Sequence, residues 1–160
     1  MGQNSLSPIR FMTASATTSA LGPNDGVVGD RFTEGGREYA VVYNAANSEI
    51  YPGYGVVPVT AATALSVSVS SVSHADAVVG VVRNATIATG YYGCVVTRGI
   101  TPLELNATSG TVSVGDMVGV GTNGDFQAQT IATGYLNPSL GKFLEAGVSG
   151  ASAYAYISCY

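Results

Sequence analysis

The chain has 160 residues, 46% of them hydrophobic and only 10% charged, with a net charge of −4. An ordinary globular domain carries roughly 25% charged residues, so much of this surface is expected to be covered, against sister subunits or a larger assembly. The five Arg and one Lys stand singly among ten acids, so no basic stripe exists for nucleic-acid phosphates, and no run of about 18 apolar residues exists to span a membrane.

Residues 1–35 differ from the rest. They are rich in Ser, Thr, Ala, Asn and Gly, lack the basic start and unbroken apolar stretch of a Sec leader, and hold one apolar patch around Ile9, Arg10, Phe11 and Met12. Gly22-Pro23-Asn24-Asp25-Gly26 breaks any regular element. This segment reads as an extended N-terminal arm that orders on a partner, with the patch as its contact point. Residues 36–160 read as one domain.

From Glu38 onward the pattern is β. Glu38–Asn44 is rich in Val and Tyr and ends in the turn Asn44-Ala45-Ala46-Asn47. Gly53–Val59 is flanked by Pro52 and contains Pro58, which predicts an edge or a corner. Leu65–Val72 alternates Leu65, Val67 and Val69 with serines until the doubled Ser70-Ser71, where a bulge or strand end is expected. Further strands are predicted at Val78–Arg83, Tyr92–Gly99, Asp116–Gly121, Asp125–Gln129, Lys142–Ala146 and Ala153–Cys159. Asn123-Gly124 predicts a two-residue hairpin turn between Met117–Val120 and Phe126–Ala128. The phrase Ile87-Ala88-Thr89-Gly90-Tyr91 recurs at Ile131–Tyr135. Short strands separated by turn signals, with no helix long enough to cover a sheet, predict an all-β barrel or sandwich.

The candidate chemical groups in the sequence read as structural residues. The one histidine, His74, lies in Ser71-Val72-Ser73-His74-Ala75-Asp76. Neighbours that close do not form a nucleophile–base–carboxylate relay, so His74 reads as a loop residue. One His and two distant Cys give no zinc spacing, and Asp25, Asp30, Asp116 and Asp125 read as turn formers beside glycines. Gly115–Gly121 lacks the Lys-Ser/Thr end of a phosphate loop. No cofactor and no catalytic residue is expected. Cys94 and Cys159 sit in apolar runs and read as buried thiols, although they could pair if their strands are neighbours. The ten tyrosines, with no Trp, include Tyr51 and Tyr54, Tyr91 and Tyr92, and Tyr154, Tyr156 and Tyr160, which are candidate contact patches.

The order of phrases is also informative. Ile50–Val57 is followed by Val79-Gly80-Val81-Val82, by Ile87–Ile100, by Val114–Val120 and by Gly141–Gly147 before an alternating last strand. This series resembles the small β-barrel decoration (cement) proteins of tailed-bacteriophage capsids, including the β-tulip type. The resemblance spans residues 36–160 and implies a small antiparallel β-barrel without a catalytic site. It implies a homotrimer bound to the major capsid protein on the virion surface, assembled in host cytoplasm. The Leu65–Val72 strand and the arm depart from that pattern and would suit a head fibre, or a knob binding a host receptor or glycan.

Overall fold

The computed structural model describes residues 30–59, 66–69, 78–83, 85–121, 123–129 and 139–159. The apolar patch at Ile9, Arg10, Phe11 and Met12 lies outside them, as do His74, the Ser70-Ser71 step, the second copy of the repeat phrase and Tyr160.

The protein is all-β, with no helix among the described residues. In chain order the strands are β1 (Arg31–Glu34), β2 (Arg37–Asn44), β3 (Gly55–Pro58), β4 (Ser66–Val69) and β5 (Gly80–Val82). They continue as β6 (Tyr92–Glu104), β7 (Val118–Val120), β8 (Phe126–Ala128), β9 (Gly141–Phe143) and β10 (Ser152–Ser158). Pairing between strands is antiparallel except for a two-residue parallel contact of β2 with β4, and the isolated Leu105–Phe126 bridge is also parallel.

Two closed circuits share β6. In the first, β2, β4, β3, β5 and β6 follow one another, and β6 pairs back onto β2. In the second, β6 pairs with β10 and β10 with β9. From β9 the circuit passes to the β7–β8 hairpin through hydrogen bonds from Phe143 N to Asp116 O (2.9 Å) and from Leu140 N to Val118 O (3.3 Å). It closes where Phe126 of β8 bridges Leu105, just past the end of β6.

Each circuit has its own core. Ala40, Val42, Ile50, Val56, Val67, Val82, Ile87 and Val95 fill the first. The opposite faces of the same three strands, carrying Tyr39, Val41, Val81, Cys94 and Val96, join Leu103, Leu105, Phe126, Phe143, Ala153, Ala155 and Ile157 in the second. Strands β2, β5 and β6 therefore form a wall buried on both sides. That explains their consecutive apolar residues, where a half-exposed strand would alternate.

β6 changes circuit at a bulge. Its pairing with β2 jumps from Glu38–Arg98 to Tyr39–Val96, leaving Thr97 as the extra residue, with its hydroxyl donating to Glu38 O at 3.2 Å. Beyond the bulge, Arg98–Glu104 pairs with β10.

Several sequence expectations need revision. β3 is not an edge, since Val56 pairs with both Val69 and Gly80. Pro52 precedes the strand and Pro58 ends it, so neither removes a central donor. Residues 31–34 form β1 in the sheet, so the boundary drawn at residue 35 falls in the β1–β2 turn. The β7–β8 hairpin forms as expected, but Gly121 N donates to Asp125 O at 2.8 Å, so three residues, not two, lie in its loop. Gly124, with φ of 76°, supplies the left-handed position that such a loop requires.

Candidate docking face

The last strand, Ser152–Ser158, inverts the usual strand arrangement. Its buried residues are Ala153, Ala155 and Ile157, whereas Tyr154 and Tyr156 point outward and are 45% and 40% exposed. The inner side packs Ala153, Ala155 and Ile157 against Phe143, Leu103 and Leu105 in the second core. The large aromatic area is displayed to solvent instead.

Register carries this face across three strands. Tyr156 lies beside Ile100 on β6 and Lys142 on β9, and Tyr154 lies beside Pro102. Leu144 N donates to Tyr154 O at 2.8 Å, which sets Leu144 next to Tyr154. Met117 bridges Lys142 and extends the same side. Directly opposed residues of an antiparallel pair share one face. Ile100, Met117, Leu144, Tyr154 and Tyr156 are five of the nine exposed large hydrophobic residues among the described residues. Such a concentration on one face makes it the candidate docking surface.

Arg98 and Glu104 lie at the two ends of this stripe, and Lys142 sits within the face beside Tyr156. At one end Arg98 Nε donates to the Tyr156 hydroxyl at 3.1 Å, and Arg98 Nη1 lies 3.5 Å from Glu38 Oε1. The Tyr156 hydrogen bond first, and the Glu38 carboxylate after it, hold the guanidinium above its ordinary pKa. At the other end the Ser152 hydroxyl donates to Glu104 Oε2 at 3.1 Å. The ion pair is exposed and contributes little to folding. Its effect is to orient charge at the rim.

The other tyrosines are placed differently. Tyr51 and Tyr54 meet edge to face at 6.5 Å, on residues before β3. Tyr92 packs against Tyr43 at 5.5 Å. Cys94 and Cys159 are both thiols, and Cys159 N donates to Thr97 O at 2.8 Å. Among the described residues no three His, Cys, Asp or Glu side chains gather as a metal site would require. Tyr154 and Tyr156 were legible as a contact patch. Ile100, Leu144 and Met117 were not, because each joins the face only through pairing between distant strands.

No family model and no curated protein matches this chain. Among solved structures, the head fiber gp8.5 N base in bacteriophage phi29 is similar, with a TM-score of 0.53 and 13% sequence identity over 75% of this chain and 94% of that one. The likeness is one of fold.

Proposed function

We propose that this chain is a non-enzymatic structural component of a bacteriophage virion, carried on the outer surface of the capsid. The observation that supports this reading is the fold shared with a phage head-fibre base over most of both chains. The low charge content and the exposed apolar face agree with a protein that works covered by other protein surfaces.

Two forms of this role are open to test. As a decoration protein, the chain binds the assembled shell of major capsid protein and stabilises it, because a ligand of the assembled state alone shifts the balance against rupture. Its phrases from Ile50 to Gly147 favour this form. As a head-fibre base, it anchors a projecting fibre that meets a host receptor or glycan, and the phi29 neighbour favours that form. In both, the patch at Ile9, Arg10, Phe11 and Met12 is the proposed capsid contact. Burying Ile9, Phe11 and Met12 contributes roughly 1.5–3 kcal/mol each before the ordering entropy of the arm is subtracted.

Quantitative mass spectrometry of purified virions tests the proposal. The chain should be present in fixed ratio to the major capsid protein. Shells lacking it should rupture at lower temperature if it decorates, and should keep their stability but adsorb poorly if it anchors a fibre. Virions without the chain would overturn both forms.

A further inference from the structure

We infer that the outer face of β6, β10 and β9 is the surface on which a second copy of this chain packs, with its strands antiparallel across the interface. This goes beyond the virion role and does not depend on it. The order of the outward residues points to this packing. Along β6 they run Arg98, Ile100, Pro102, Glu104, with a cation at one end, an anion at the other and apolar side chains between. Beside them on β10 run Ser158, Tyr156, Tyr154 and Ser152.

That order is complementary to its own reverse. Consider a two-fold axis lying between two such faces, perpendicular to the strands, at the level of the Thr101–Ala155 pair. It sets Arg98 against Glu104 of the second copy and Glu104 against that copy's Arg98. Ile100 then meets Pro102, and Tyr154 meets Tyr156. Arg98 and Glu104 are six residues apart, roughly 20 Å along an extended strand, so both rim pairs flank one continuous apolar stripe. Lys142 on β9 falls opposite Leu144, where its methylene stem covers apolar surface. An axis parallel to the strands would instead set Arg98 against Ser158 and leave Glu104 against Ser152, with neither charge answered. A closed, isologous contact follows from the first arrangement.

The rim groups are already held for this use. Tyr156 and Glu38 fix the Arg98 guanidinium, and Ser152 fixes Glu104, so little side-chain freedom remains to be lost. Arg98 is 57% exposed as a side chain and keeps donors available.

Charge exchange on the full chain tests this directly by sedimentation equilibrium. The natural chain should form a two-copy species that weakens as salt is raised. R98E should set like charges together at both rims and weaken association by about ten-fold or more, and E104R should do the same. The exchanged variant R98E/E104R should recover the natural affinity, because its two faces are again complementary. Far-UV circular dichroism unchanged from the natural chain assigns the losses to the interface. A monomer at every accessible concentration, a three-copy species, or an exchanged variant no better than the single ones would overturn the inference. So would single variants that associate normally but fail to bind capsid shells, which would assign the face to the shell. The salt titration uses no substitution, and salt-independent association would also overturn it.

Discussion

Ile87 lies directly over Gly93, so closely that a single methyl group at Gly93 would overlap the Ile87 side chain. The contact is inside the first circuit, where Ile87 is fully buried and bonded through its backbone to Ile50. Glycine is required here by space and not by backbone angle. Gly93→Ala should therefore destabilise the fold by about 1–3 kcal/mol, as overpacking of a filled core does. Denaturant unfolding measures this. Combining it with Ile87→Ala removes all three side-chain carbons that meet the new methyl, Cδ1, Cγ1 and Cγ2, so the double variant should lose less than the sum of the two single losses. Strict additivity would show that the contact is not what constrains residue 93.

How far the sequence carried this fold can be judged from particular elements. The strands of the buried wall were readable because unbroken apolar runs such as Tyr39–Val42 and Cys94–Val96 are too short for buried helices and sit between turn signals. β1 was missed because Arg31-Phe32-Thr33-Glu34 has one apolar residue and no alternation. Phe32 holds it in place by stacking on Tyr39, with ring centroids 5.1 Å apart. A local signal was nevertheless present. Glu34 pairs with Arg37 across Gly35-Gly36, whose φ values of 55° and 75° make the tight hairpin turn that Gly-Gly favours. The two-residue turn thus falls there and not at Asn123-Gly124.

β6 extends beyond the expected end at Gly99 despite Pro102. Leu105 N bonds to Ala151 O, and Thr97 O accepts from Cys159 N. By antiparallel alternation, even-numbered Pro102 directs its nitrogen away from β10, so no ladder donor is lost. The docking face was half legible. Tyr154 and Tyr156 follow from alternation within one strand, whereas Ile100, Leu144 and Met117 depend on register across three chain segments.

Thr101 offers a test of the second core. Its side chain is fully buried on the inner side of β6, opposite Ala155, and its hydroxyl has no hydrogen-bond partner. A buried hydroxyl without a partner carries its desolvation cost uncompensated, about 1–3 kcal/mol. Thr101→Val keeps the shape and removes the polar group. Its midpoint of denaturation should equal or exceed that of the natural chain, by up to about 1 kcal/mol in stability, since Val and Thr are not perfect isosteres. A loss above about 1 kcal/mol would mean that the hydroxyl is satisfied in solution, for instance by an internal water.

The two cysteines predict a response to alkali. Cys94 is buried in the wall between the circuits, and Cys159 follows β10 and packs against the same core. For Cys94, burial first and the Glu34 carboxylate second push the thiol from the ordinary value of 9.0 up to about 12. For Cys159 burial alone pushes it to about 12. The folded protein therefore holds both protons more tightly than the unfolded chain does. This contribution to stability is complete below about pH 9 and is lost as the pH rises toward about 12. Reaction with a thiol reagent requires the thiolate, so labelling of the native chain at about pH 8 should be slow, and labelling after denaturation complete. Replacing both residues by alanine should lower stability at neutral pH through lost packing, yet flatten its decline on the alkaline side. If urea midpoints of the natural chain and the double variant fall in parallel as the pH is raised above 9, the thiols do not titrate as their burial requires.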